Sequence, residues 1–358
     1  MKKSAPQAKR RPGLRPLPAR ITTVAPLEDL LSEPTPGAIE AMRALDGDLI
    51  LLGVAGKMGP TLARMARRAC DSAGATRRII GVSRFTSPAD EAALRAHGIE
   101  TIRCDLLDEA AVAALPDVPN VISMTGMKFG ATGNEPLTWA MNVHLPAIVC
   151  RKFRSSRIVA FSTGNVYGLS PVPRGGSVES DAPAPVGEYA TSCLGRERMF
   201  EHFSRTLGIP VVLLRLNYAV ELRYGVLADL ARKIRDGGRV DLAMGHFNCI
   251  WQGDANAMTL QAFALADTPA RVLNMTGLAT LSVRETCATL ASLMNTTVKF
   301  TGTESATALL NNPAKLHALI GAPRVPVSQI LEWVSDWTLC GRPTLGKPTH
   351  FEARDGRF

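Results

Sequence analysis

The stretch that most constrains this chain runs from Leu49 to Ala69. An apolar run, Leu49-Ile50-Leu51-Leu52, leads into three glycines at intervals of three: Gly53, Gly56 and Gly59. Leu62, Met65, Ala66 and Ala69 then recur at helical spacing. That order predicts a buried strand, a tight turn and a helix. Glycines in such a turn let a pyrophosphate approach backbone that any Cβ would keep away. The first N–H groups of the helix then face the anion. Pro60 suits the opening helical turn, where no N–H is needed. Gly53, Gly56, Lys57, Met58 and Gly59 are therefore candidate dinucleotide-binding residues. Taken alone, the segment also reads as a glycine-rich turn without a ligand.

The chain continues in the same pattern. Apolar strand candidates lie at 48–53, 79–83, 99–103, 119–124, 156–162 and 210–216, with helical candidates between them at 60–73, 88–97, 108–114, 135–153 and 186–207. This alternation predicts a doubly wound parallel sheet of the Rossmann kind, covered by helices on both faces, with its ligand crevice at the carboxyl ends of the strands. The expected division is a disordered basic tail (1–23), a helical lead-in (24–46), a dinucleotide-binding domain (47–216) and a smaller, interleaved α/β region (217–358) that caps the substrate. In that last region helices are expected at 224–236, 254–266, 282–294 and 326–339, with short strands near 248–251, 272–274 and 297–300.

Charge and cysteine usage narrow the class. The net charge is +9 over 358 residues, but Lys2, Lys3, Lys9, Arg10, Arg11, Arg15 and Arg20 supply seven of those charges. The remainder is nearly balanced, which argues against a nucleic-acid partner. No apolar run approaches the roughly 20 residues of a membrane span, and the basic start lacks the apolar core of a signal peptide. Seven cysteines without a C-x-x-C, and six histidines without ligand spacing, predict reduced thiols, no metal and a cytoplasmic protein.

The second strand ends in Gly81-Val82-Ser83-Arg84. Ser83 stands where an NAD site places an acid, and the Arg84 guanidinium suits a 2′-phosphate, so NADP is the expected cofactor, with NAD as the alternative. Asp105, followed by Leu106, either reaches the adenine amino group or caps the next helix.

Two further motifs complete the set: Phe161-Ser162-Thr163-Gly164-Asn165-Val166-Tyr167-Gly168, and Tyr189-Ala190-Thr191-Ser192-Cys193 followed by Glu197. With the glycine turn, Asn142-Val143, Arg215-Leu216-Asn217 and Gly253-Asp254-Ala255, the chain resembles the extended short-chain dehydrogenase/reductase family, in its epimerase/dehydratase branch. The resemblance implies that Thr163 orients the substrate oxygen and Tyr189 transfers the proton. It places Thr125, Gly126, Asn142, Tyr189 and Asn217 at the cofactor. It also implies a homodimer paired through the two long helices.

Three departures qualify that picture. The family's lysine one turn after the tyrosine is Cys193, which brings no charge. Lys128, in the loop after the fourth strand, is the expected substitute, or else a phosphate-contacting or surface lysine; Arg196, two turns past Tyr189, is not expected to reach it. Gly164-Asn165 replace the Asp-Glu pair of dehydratases, and Phe247 replaces the arginine with which nucleotide-sugar enzymes grip the diphosphate. A smaller polar pocket lined by Asn165, Asn217, Tyr218, Arg223, Tyr224, Trp251 and Gln252 is expected, although core packing explains Trp251 nearly as well. The expected function is an NAD(P)-dependent oxidoreductase or epimerase acting on a sugar, polyol or related compound. The alternative is a non-catalytic cofactor sensor of the same fold.

Overall fold

The computed structural model describes residues 15–128 and 133–356. Seven parallel strands form the central sheet: β1 (Leu49–Leu52), β2 (Ile79–Ser83), β3 (Glu100–Arg103), β4 (Asn120–Ser123), β5 (Arg157–Thr163), β6 (Val211–Leu216) and β7 (Arg271–Met275). Their spatial order is β3-β2-β1-β4-β5-β6-β7. β1 pairs with β2 on one side (Leu49 opposite Ile79) and β4 on the other (Leu49 opposite Asn120). The order reverses there, which opens the crevice that such sheets offer a ligand.

The apolar runs read as strands because both faces of the sheet are covered. Leu49 and Leu51 point into one core with helix Gly59–Ala73, and Ile50 and Leu52 into the other with helices Leu145–Lys152 and Gly187–Leu207. A third core gathers Trp251, Trp333 and Trp337 between helices Val226–Arg235, Val283–Leu293 and Val327–Leu339.

Several expectations are corrected. The strand near 272–274 belongs to the main sheet, where it pairs with β6. Helix Gln252–Gln261 packs beside Gly59–Ala73 on the sheet face, through Ala255, Met258 and Leu260. The long helix expected at 135–153 is a π-helical turn, Ala140–His144, between two α-helical pieces. Pro146 has no N–H to offer the carbonyl four residues back, and the Leu145 N–H bonds Ala140 O instead. Of the tail expected to be disordered, residues 1–14 lie outside the described residues. The rest is docked: Ile21 is buried, and Pro18 O accepts from Trp333 Nε1 at 2.9 Å. Apolar and backbone partners hold it there, and its two charges face carboxylates, Arg15 at 3.9 Å from Glu33 and Arg20 at 3.6 Å from Asp336. Helix Ala314–Ile320 was not expected, because seven residues carry too little periodicity to read.

A buried ion pair ties the helix Gly187–Leu207 to the sheet. Arg215 on β6 donates to Glu197 through Nε (2.9 Å) and Nη2 (2.6 Å), and its Nη1 donates to the Tyr167 hydroxyl (2.6 Å). Both side chains are almost wholly buried. Arg215→Met, which strands the Glu197 carboxylate, is expected to cost about 3–5 kcal/mol of unfolding free energy by urea titration. A loss below about 1 kcal/mol would mean that the carboxylate finds another partner or protonates easily.

Candidate active site

The glycine turn forms a cradle with three distinct roles. A Cβ on Gly59 would lie 2.0 Å from Val54 O, and one on Gly53 would lie 2.7 Å from Thr125 Oγ1. These two glycines permit close packing, contrary to the expectation that all three open a path for the ligand. Gly56 alone opens that way: a Cβ there meets only Gly53 O, at 3.3 Å. The helix beyond starts at Gly59 with Met58 as its N-cap and no side-chain cap; the Gly59 N–H donates to Gly56 O at 3.2 Å and Pro60 has none, so Thr61 carries the first N–H left for an anion. Thr125 Oγ1 beside the turn is buried without a hydrogen-bond partner. An anionic dinucleotide fits these features.

The crevice continues into a cleft of about 260 Å³. Thr163, at the end of β5, and Tyr189, on the first turn of helix Gly187–Leu207, meet there through a side-chain hydrogen bond. Thr163 Oγ1 accepts from the Asn165 N–H (3.2 Å) and from Asn165 Nδ2 (3.0 Å). Both its acceptor positions are thereby used, and its own proton points toward Tyr189. Cys193 is fully buried and also hydrogen-bonds Tyr189. Burial pushes the Tyr189 phenol above its ordinary range, Cys193 acts in the same direction, and Arg196 and the Thr163 hydrogen bond oppose them. Burial likewise raises the Cys193 thiol.

Arg196 is a residue that sequence reasoning set aside. It lines the cleft, donating to Phe161 O (3.1 Å) and to Asn142 Oδ1, and its Nε is buried without a partner. Gly126 makes room for it, since a Cβ there would fall 2.2 Å from Nη2. Residues 189 and 196 share one helix face, and helical side chains lean toward the N-terminus. That lean was the available signal. Lys128 enters the cleft as expected, 5.9 Å from the Tyr189 ring centroid, and burial lowers its pKa to about 8.

The remaining candidates separate by position. Asn217, Tyr218 and Tyr224 line the cleft beside Lys57 and Met58. Asn142 lies wholly buried beneath the loop that carries Met127, accepting from Met127 N (2.9 Å) and donating to Met127 O (3.1 Å), so it positions the loop. Ser83 and Arg84 stand at the carboxyl end of β2, on the rim next to the glycine turn, with Arg84 exposed. Asp105 Oδ1 accepts from Leu107 N (3.0 Å), Leu106 is buried, and it is Asp108 that caps the following helix.

Trp251, Gln252 and Arg223 do not line the cleft. Trp251 packs on Trp333 at 5.4 Å, Gln252 donates to Thr61 Oγ1 at 3.2 Å, and Arg223 pairs with Glu221 and Glu28. The short strand Ile250–Trp251 turns straight into a helix and directs these side chains into packed interfaces. A C-terminal strap supplies a wall the sequence did not reveal. Thr349 lines the cleft, its N–H and Oγ1 donate to Asp229 Oδ2 (2.8 and 2.6 Å), and its carbonyl accepts from Lys128 Nζ (3.5 Å).

A seven-stranded parallel sheet with a glycine turn at the switch point and a Thr/Tyr pair beyond it defines an NAD-dependent enzyme of the extended short-chain dehydrogenase/reductase type. A profile of the NAD-dependent epimerase/dehydratase family matches residues 49–247, more than half of the chain, and the chain belongs to that family. UDP-glucuronic acid 4-epimerase from Bacillus cereus in complex with NAD superposes with a TM-score of 0.68 at 17% identity, over 81% of this chain and 98% of that one. dTDP-glucose 4,6-dehydratase from Bacillus anthracis in complex with NAD gives 0.68 at 15% identity, over 82% and 96%. UDP-glucose 4-epimerase from Thermotoga maritima gives 0.66 at 16%, over 81% and 98%. At these identities the likeness is one of fold. No curated protein matches the chain.

The two kinds of glycine respond differently to substitution. Gly56→Val is expected to abolish dinucleotide binding by calorimetry while the far-ultraviolet dichroism and unfolding midpoint stay near wild type. Gly59→Ala instead lowers the midpoint, because Val54 O must move. Unchanged cofactor affinity in Gly56→Val contradicts this assignment of the cradle.

Proposed function

We propose that the protein is an oxidoreductase or epimerase that interconverts a hydroxyl and a carbonyl on a sugar, polyol or related small molecule, with Tyr189 as proton carrier. The observation that carries this is the Thr163–Tyr189 hydrogen bond at the inner end of the dinucleotide crevice. Bound NAD supplies a hydride acceptor and donor. Gly56 and the helix start would hold its pyrophosphate, and Thr125 and Gly126, in the loop after β4, would line the rest of its path. During oxidation Tyr189, as phenolate, takes the proton of the substrate hydroxyl, and Thr163 donates its hydrogen bond to the same substrate oxygen. Cys193 brings no cation to stabilise the phenolate. Arg196 supplies that field from the same helix, and Lys128, 5.9 Å from the Tyr189 ring centroid, is the second cation beside it.

Two features support a small substrate and argue against elimination. Gly164 and Asn165 stand where an acid–base pair would be, with Gly164 packed on Asn311 and Asn165 turned to Thr163. Phe247 is fully buried, its ring 6.3 Å from that of Phe351 on the C-terminal strap, so an apolar contact occupies the place of a diphosphate clamp. Exposed Arg84 beside Ser83 supports preference for NADP over NAD. Exposed Leu137, Trp139 and Leu207 support pairing of two copies through the helices that bear them.

Two measurements test the reading. Tyr189→Phe is expected to reduce turnover by about 10² or more, the usual scale of general acid–base catalysis. A folded-state phenol pKa raised by burial means that oxidation increases with pH toward the alkaline range. Arg196→Met removes an opposing cation and moves that limb to higher pH, while Cys193→Ala removes a group that raises the phenol and moves it to lower pH. Full activity in Tyr189→Phe contradicts the assignment. Dinucleotide binding without turnover across a sugar and polyol panel favours a sensor instead. For the cofactor, Arg84→Ala is expected to weaken NADP binding by about 1.5–3 kcal/mol, the worth of a hydrogen bond to a charged group, and to leave NAD unchanged. Equal wild-type affinity for the two dinucleotides rules the preference out.

A further inference from the structure

We infer that the cleft binds an anionic group of the substrate, a carboxylate or a phosphate, between the ammonium groups of Lys57 and Lys128. This rests on the proposed reading that a small hydroxyl or carbonyl compound occupies the cleft. Lys57 belongs to the glycine turn, yet its side chain leaves the turn and crosses the crevice. Its Nζ donates to Ala219 O at 3.2 Å and lies 3.4 Å above the centroid of the Tyr224 ring, which fixes it on the wall opposite the helix start. Lys128 reaches the same cleft from the loop after β4, beside Thr349 and Tyr189. Two ammonium groups are thus brought into a space of about 260 Å³ that also holds the Thr163–Tyr189 pair.

The two carboxylates that act on Lys57, Glu221 and Asp229, have other partners as well. Glu221 accepts from Arg223 Nε (3.0 Å) and Arg223 N (2.9 Å). Asp229 accepts from Thr349 and from Arg232. Desolvation lowers the Lys57 pKa to about 7, with Lys128 and Lys347 adding to the effect and Glu221 and Asp229 opposing it. Two like charges that converge in a partly dehydrated cleft destabilise each other, and an anion placed between them reverses the sign of that interaction. The dinucleotide pyrophosphate would sit at Gly56 and the helix start, whereas the Lys57 ammonium is held at Ala219 O and the Tyr224 ring.

The test is calorimetric binding to the NAD-saturated protein, with acetate, inorganic phosphate, and D-glucose, D-glucuronate and D-glucose 6-phosphate as probes. At least one anion family, carboxylates or phosphates, is expected to bind, and the matching sugar derivative should bind about tenfold or more tighter than glucose, the scale of one charge-assisted hydrogen bond. The comparison of glucuronate with glucose 6-phosphate identifies which anion the site takes. Lys57→Met should remove most of that advantage, Lys57→Arg should restore part of it, and NAD affinity should change little. Lys128→Met is the second variant and should act in the same direction.

Three outcomes overturn the inference: no anion binds at tens of millimolar, glucose binds as well as its charged derivatives, or Lys57→Met weakens NAD alone, which would give the ammonium to the pyrophosphate. The readout is separable from catalysis. Anion binding that persists without turnover fails the proposed function only, and turnover of neutral sugars without anion binding fails this inference only.

Discussion

The approach of Gly59 to the Val54 carbonyl is the contact on which the site depends. Only a residue without a Cβ lets the helix Gly59–Ala73 begin this close to the end of β1. That closeness sets the start of the helix at the switch point between β1 and β4. It also decides where the intervening residues go. Gly56 faces the open crevice, and Lys57 sends its ammonium across to the Tyr224 wall.

At the far end of the crevice the problem is charge. The Tyr189 phenol, the proposed proton carrier, is buried, and its neighbour one turn along the helix is a neutral thiol. The structure brings a guanidinium back along the same helix from position 196. Asn142 holds it there, in a π-helical turn that Pro146 favours, and the same Asn142 amide fixes the loop that presents Lys128. Cofactor loop, cation and phenol are therefore one connected assembly. The buried Glu197–Arg215 pair lies one residue farther along the helix and anchors it to β6.

Much of this was legible in the sequence because strands and helices announce themselves by period. The six strands read between residues 48 and 216 are six of the seven in the parallel sheet, and Thr163 and Tyr189 meet in the cleft. Motif spacing says less about direction. Trp251 and Gln252 sit beside a recognisable segment, yet the strand-to-helix corner sends both into packed interfaces. Arg196 was passed over by counting turns along an axis, when side-chain length and tilt set the reach.

By itself the sequence determined the fold class, the glycine turn and the two hydroxyls, since each follows from local periodicity or from a short motif whose parts are neighbours in the chain. Tertiary structure alone decided that Arg196 joins Lys128 beside the Tyr189 phenol and what walls the cleft. Arg196, Lys57, Lys128 and Thr349 come from four distant segments, and no local pattern records that their side chains share one space. That follows from packing, because long side chains take their direction from whatever neighbours leave room for them.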